Sequence, residues 1–198
     1  MARKPDMARR EEITRAAFEV MIAQGVRGAS MSDVARALGM KRPTLYWYFN
    51  DMQAIFEASL DLILGDQVAF IGQRLAAVAH PIDMLFAYAQ AVDAFYAERE
   101  DVIVFLLQLW AASGDHSPDR VFDKTREFFE PRRRMAVEML RAGIEDGSVA
   151  PCDPEVIVGA VGAFIDGLLI QRITRHTPIE PLHDLLWRSV LEPLRRDS

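Results

Sequence analysis

The side chains with the clearest chemical use fall in one short run, Lys41, Arg42, Pro43, Thr44, Leu45, Tyr46, Trp47 and Tyr48. Lysine and arginine can meet a phosphate or a guanine edge, threonine can hydrogen-bond or touch a thymine methyl, and tyrosine can donate to a phosphate oxygen. On a single helix whose Leu45 and Phe49, four residues apart, face inward, these groups form a surface suited to nucleic acid. Other chemistry has little to stand on. His80, His116, His176 and His183 show no metal-ligand spacing, and no G-x-S-x-G, P-loop or dinucleotide fingerprint occurs. Cys152 is the only cysteine and reads as a bystander thiol near a turn. An enzyme is therefore not expected, nor a metal or a cofactor.

A helix bearing those groups must be held against something, and the residues before it supply the support. Helix 1 is expected from about Met7 to Gln24, with Ile13, Ala17, Val20, Met21 and Gln24 along one face and Gly25 as a left-handed stop. Ser30 opens helix 2 as its cap, and Asp33, three residues on, stands where a capping-box carboxylate belongs. Val34, Ala35 and Leu38 form the buried stripe, Gly39 makes a tight turn with Met40 and Lys41, and helix 3 carries Arg42 to about Tyr48. Asn50 with Gln53 is the next start signal, for a helix running from Asp51 toward the Gly65 to Ala79 region. A helix, a three-residue turn with glycine and a helix rich in Lys, Arg, Thr and Tyr match the helix-turn-helix plan, in which the second helix enters the major groove. From the pattern alone, a small helical hairpin with a partly exposed aromatic end also fits. Trp47 is either packed at a groove edge or simply exposed.

The run V-A-x-x-L-G-M-K-R-P-T-L-Y-W-Y-F followed by N-D-M-Q-A-I-F, with Ile13, Ala16, Ala17 and Gly25 before it, resembles the signature of the tetracycline-repressor (TetR) family over about residues 10 to 57. The resemblance implies an all-α protein with an N-terminal three-helix helix-turn-helix domain, residues 1–50, and a C-terminal helical domain, residues 51–198, for ligand binding and dimerisation. It implies a DNA-binding transcriptional regulator, usually a repressor relieved by a small molecule. The family's DNA contacts carry over to Ser30, Ser32, Lys41, Arg42, Thr44, Tyr46 and Tyr48. Two positions depart from the family pattern: Lys41 stands where a Ser or Thr often caps helix 3, and Met52 where a phosphate-binding Lys is common.

Composition bounds these readings. The chain has 198 residues, 51% of them apolar, enough to fill the core of one or two domains. Its formal charge of −6 argues at first against a phosphate partner. The charge is uneven, however: residues 1 to 50 carry nine Lys and Arg against five Asp and Glu, and the remainder fourteen against twenty-four. A basic end on an acidic body is the expected organisation. The longest stretch free of charge, Val102 to Gly114, is thirteen residues, so no membrane span is expected. No secretory signal is expected either, and the expected compartment is the cytoplasm.

The rest of the chain reads as further helices, about nine in all, punctuated by Gly and Pro. One opens at Pro81 and reaches about Glu98. A short apolar one covers Val102 to Ser113 and ends at Gly114. A long one starts at Ser117 and Pro118 and runs to about Glu145, bent or broken at Pro131. Another runs from Asp153 and Pro154 to about Arg175, and the last from about Pro181 to Leu194. Val156 to Ile165 carries no polar side chain, so that helix must be covered twice. One side, such as Ile157, Val161, Phe164 and Leu168, can pack on its own subunit, while Gly159, Gly162, Ala163 and Gly167 allow close approach by a partner. With the last helix this suggests a four-helix bundle across a two-fold axis. The expected dimer residues are Val161, Phe164, Ile165, Leu168, Leu186, Trp187 and Val190. A monomer burying both helices internally is the alternative. Phe86, Phe95, Tyr96, Phe105, Leu109, Trp110, Phe128, Met135 and Met139 are the expected lining of an apolar ligand pocket, with ordinary core packing as the competing role. Gln108, Tyr96, His116 and Asp166 are the polar groups that could orient a ligand. Arg132, Arg133 and Arg134 could meet an anion or form a solvated face. The expected partners are a near-palindromic double-stranded operator, a second copy of the chain and a small-molecule effector.

Overall fold

A computed structural model describes residues 6–116, 118–174 and 178–196, with no account of the side chains at 110 and 112–122. Among the described residues the chain is all-α, with nine α-helices and no strand. These are α1 (Met7–Gln24), α2 (Met31–Ala37), α3 (Arg42–Tyr48), α4 (Met52–Leu75), α5 (Pro81–Tyr96), α6 (Glu100–His116), α7 (Pro118–Asp146), α8 (Pro154–Thr174) and α9 (Glu180–Leu186). Two compact units emerge, one holding the residues up to Asp66 together with Val104–Asp123, the other Gln67–Ile103 together with the residues from Lys124 onward. Residue 50 falls inside the first unit, and α4, α6 and α7 each run from one unit into the other.

In the first unit α1 packs on α2 and α2 on α3. Asp6 caps α1 by accepting from Ala8 N–H at 3.0 Å, and Gly25, at φ 78°, ends it in the left-handed region where a side chain would be strained. Ile13, Ala17, Val34, Leu45, Phe49 and Ile55 are buried together with Leu60, so the third helix is anchored by its apolar pair. Asp51, rather than Asn50, starts α4: its carboxylate accepts from Ala54 N–H at 2.8 Å. Gln53 instead donates to Glu57, one turn along the same helix, at 3.3 Å.

In the second unit α5 packs on α8. His80 caps α5: its Nδ1 accepts from Ile82 N–H at 3.1 Å, which leaves Nε2–H to donate to Ser148 O at 3.1 Å. Asp153 caps α8, accepting from Glu155 N–H at 3.0 Å. Three expected boundaries shift. Gly114 lies inside α6 and Glu100 and Asp101 lengthen its start, because acids in a first turn suit the helix dipole and one glycine weakens a helix without stopping it. Pro131 lies inside a continuous α7, where the nearby Phe128 carbonyl accepts from the Arg132 guanidinium. The last helix does not run to Leu194 as one α-helix. It widens into a π-helical turn, Trp187–Leu191, and closes with a 3-10 turn, Glu192–Leu194. Ser117 and Arg175 lie outside the described residues.

By length and composition α8 could cross a membrane, with mean hydropathy 1.8, although no span was expected from the charge-free stretches. Only 17% of that window is buried within the chain, and the helix carries Asp166 in its length.

Candidate nucleic-acid interface

The turn at Gly39, φ 59°, sends the chain into α3 so that the two sides of this helix separate by chemistry. Leu45 and Phe49 are 0% and 1% exposed, whereas Lys41, Arg42 and Thr44 are exposed and Tyr46 is 42% exposed. Arg42 Nη2 donates to Tyr46 Oη at 3.5 Å, which sets cation and phenol side by side. Trp47 is exposed, its ring set edge-on to the half-buried Tyr48 at 4.9 Å, an exposure that both expected roles require. Lys41 takes the cap position of α3 without a side-chain hydrogen bond.

Ser30 is used differently from Lys41. Its hydroxyl donates to the Asp33 carboxylate and accepts from Asp33 N–H at 3.3 Å, while Asp33 Oδ2 accepts from Ser30 N–H at 3.1 Å, so the expected capping box is complete. The Ser30 hydrogen bond, aided by the Arg36 charge, holds the Asp33 carboxyl below its usual range. Ser30 thus sets the start of α2, and Ser32 follows it half-buried in the first turn. Two supports could not be read from the sequence, because nothing local signals them. The Arg10 guanidinium lies 4.4 Å from the centre of the Phe49 ring. Gln108, weighed above as a ligand contact, accepts from Val26 N–H at 3.1 Å, next to Phe105, which meets Phe18 edge-on at 4.9 Å.

The expected pocket residues are distributed over the two units. Phe105 and Leu109 are buried in the first unit, whereas Phe86, Phe95, Tyr96, Phe128, Met135 and Met139 belong to the second. Met135 is 69% exposed and so sits on the surface of the chain. The side chains of Trp110 and His116 lie outside the described residues. Inside the second unit, burial pushes the Tyr88 and Tyr96 phenols up, with Arg132 and Asp166 both acting on Tyr88. Arg133 and Arg134 are paired with Glu130, so the arginine run is not a free anion site.

The dimer list also needs correction. Val161, Ile165, Leu168 and Leu186 are buried within the single chain and belong to its own core, leaving Phe164, Trp187 and Val190 half-buried. The outer side of α8 is made instead by Val156, Gly159, Gly162, Ala163, Asp166 and Ile170. Asp93 ties α5 to α8 and α9, accepting from Arg172 at 2.5 Å and standing 3.4 Å from His183 Nε2. Burial pushes the Asp93 carboxyl up, but its bonds to His183 and Arg172 outweigh that and leave it below the usual range.

Residues 13–59, which include α2, the turn at Gly39 and α3, match the family described as bacterial regulatory proteins, tetR family. This segment of the chain is a TetR-family DNA-binding domain. The regulator SrpR of Pseudomonas putida is 41% identical over 51 residues, 26% of this chain and 24% of its own length, so the likeness covers only a quarter of that relative. Over nearly the full length, the fold matches a putative transcriptional regulator from Saccharomonospora viridis in complex with choline, at TM-score 0.78 and 18% identity, covering 96% of this chain and 100% of the other. It also matches AibR in complex with isovaleryl coenzyme A and operator DNA, at TM-score 0.68 and 18% identity, covering 92% and 98%. The TetR-family helix-turn-helix here is therefore α2 and α3, with an all-helical body following it.

Proposed function

We propose that this TetR-family chain is a homodimeric, sequence-specific repressor that reads a near-palindromic operator and is released from it by a small apolar or amphipathic molecule. The observation that carries the DNA reading is α3 itself. Its apolar pair is fully buried while Lys41, Arg42, Thr44 and Tyr46 stand in solvent on the other side, in a segment richer in base than the rest of the chain. Residues 1–50 act as the reading head and residues 51–198 as the body. Release by a ligand is supported by the aromatic residues of α5 and α7 and by the two fold neighbours, which hold choline and isovaleryl coenzyme A. Because α4 runs without a break from the reading head into the body, displacement at its far end can change the separation of two heads. Half-sites on one face of DNA lie roughly 34 to 36 Å apart, so a dimer that cannot match the spacing loses one side's contacts.

The test is a gel shift on the intergenic DNA beside the gene, repeated with a panel of metabolites and drugs. A salt-dependent, sequence-selective shift relieved by one panel member is expected. Equal binding to unrelated duplexes would contradict sequence-specific repression.

A further inference from the structure

Among the described residues of the second unit, three arginines fold back over a phenylalanine one turn earlier: Arg74 over Phe70 at 3.5 Å, Arg99 over Phe95 at 4.2 Å and Arg132 over Phe128 at 3.8 Å. The first two pairs join, since the Phe70 and Phe95 rings meet edge-on at 5.4 Å and Phe95 meets Tyr96 at 4.9 Å. The third pair faces α5. Arg133 and Arg134 are exposed and paired with Glu130, whereas Arg132 is half-buried and makes no ion pair with the described residues. α7 meets the start of α5 at Gly143, where an added Cβ would lie 3.1 Å from Pro81 Cγ. Arg132 stands eleven residues before Gly143 and Tyr88 seven after Pro81, each close to a whole number of turns, so both lie on the faces by which the two helices touch. Burial pushes the Tyr88 phenol up, and Arg132 from α7 and Asp166 from α8 act on it with opposite sign.

Deeper in the same unit Gln67 and Tyr96 are 4% and 2% exposed, and neither side chain makes a hydrogen bond with the described residues. Among those residues the side-chain polar atoms that are both unpartnered and sealed from water belong to Ser59, Arg172 and His183. The Gln67 amide and the Tyr96 phenol are therefore not sealed, and each opens on interior space that water reaches. A few polar tips turned into such a space are what orients a small molecule. Tyr96 follows Tyr88 by eight residues, about 12 Å along α5. Burial pushes both phenols up, so both remain hydrogen-bond donors at neutral pH.

We propose that the effector is an amphipathic carboxylate, with Arg132 taking its charge, Tyr88, Tyr96 and Gln67 donating to its oxygen atoms, and its apolar part lying between α5 and α7. The inference rests on the release reading above and names the chemical class of its ligand. One half-buried guanidinium balances one negative charge, which suits a carboxylate better than a doubly charged phosphate, and its planar fork matches two oxygen atoms. Asp166 repels an anion from its own side of Tyr88 and leaves the Arg132 side to the carboxylate. A cationic ligand is disfavoured, because the ring faces of Phe70, Phe95 and Phe128 that would receive it are already covered by arginines.

Calorimetry on the full chain with octanoate and 3-phenylpropanoate, each beside its neutral amide and its amine, tests the class. At least one carboxylate is expected to bind, about tenfold or more tightly than its own amide or amine. Arg132→Gln should raise the Kd of that carboxylate about tenfold or more and leave the Kd of the amide unchanged, while Arg134→Gln, two residues away on the exposed side, should alter neither. Tyr88→Phe removes one donor and should weaken the carboxylate about fivefold, and it keeps the test open if Arg132→Gln has lost its helical circular dichroism. Binding by neither carboxylate, an amide that binds as tightly as its carboxylate, or equal losses from Arg132→Gln and Arg134→Gln would each overturn the proposal. Gel shifts with the same compounds separate it from the release reading. A carboxylate that binds through Arg132 without loosening operator upholds the site and refutes release, whereas release by an amide or amine with no carboxylate bound upholds release and overturns the site.

Discussion

Along α3 neighbouring residues have opposite duties: Leu45 holds the helix to the core while Thr44 and Tyr46 on either side of it stand in solvent. Substitution should separate these duties. Lys41→Ala and Tyr46→Ala remove exposed groups, so both variants are expected to keep the melting temperature and oligomeric state of the parent while binding operator more weakly. For a lost phosphate contact the affinity falls for all sequences, and the slope of log affinity against log salt drops by about one. Fluorescence anisotropy at several salt concentrations reads both effects, and unchanged binding by both variants at matched salt would sink the assignment. Ser30→Ala is expected to act on stability instead. Removing the hydroxyl that caps α2 costs about 1 kcal/mol, visible in urea unfolding, and it should weaken DNA binding only through the position of α3. Asp33, held below the usual carboxylate range, should keep the capping box intact at neutral pH and release it only as the pH falls through that lowered value.

Among the elements, the tie made by Asp93 from α5 to Arg172 on α8 and His183 on α9 joins three helices through side chains that are largely buried. Asp93→Ala leaves His183 Nε2 without this partner and Arg172 with the Ala97 carbonyl alone as acceptor, at a cost of about 3 kcal/mol, and denaturant unfolding followed by circular dichroism checks it. Because the folded-state pKa of Asp93 lies below its unfolded value, its stabilisation is complete above the ordinary carboxylate pKa, about 4, and is lost as the pH falls through the lowered one. The parent should therefore lose stability more steeply below about pH 4 than the Ala variant does. None of this tie could be read from the sequence, since residues 93, 172 and 183 share no local pattern. What could be read was local: the Asp33 carboxylate three residues after Ser30, Gly25 after Gln24, and the four-residue spacing of Leu45 and Phe49 all settle within one or two turns of helix. Gly114 and the expected break at Pro131 misled for the converse reason, because a residue that locally weakens a helix does not by itself end it. Val161 and Leu168 were expected both against their own subunit and on the dimer list, because a helix apolar all round does not disclose which side faces its own chain, and burial in the single chain favours the first. That side is decided by α5.

For the whole molecule, effector and operator must obey linkage. A ligand shifts the DNA equilibrium only by its preference for the non-binding state, and a coupling of about 1 to 3 kcal/mol corresponds to about a 5- to 150-fold change in DNA affinity. Saturating operator should weaken ligand binding by the same factor, which paired titrations by calorimetry can measure. A ligand that binds free and DNA-bound protein equally would refute release by that compound. Phe128→Ala is expected to blunt the response to the effector while sparing DNA binding in its absence. The bond from Gln108 to Val26 bears on a different matter, the modularity of the chain. Because Phe105 and Gln108 belong to the same compact unit as α1, the reading head is assembled from two stretches of sequence more than thirty-five residues apart. A fragment ending at Asp66 would leave Phe18 without its ring partner and Val26 N–H without its acceptor, and it should melt below the full chain or aggregate. Chimaeras that graft this head onto another regulator's body should work only when the Val104–Asp123 stretch travels with it, so recombination at residue 50 is a poor route by which such a protein could acquire a new operator.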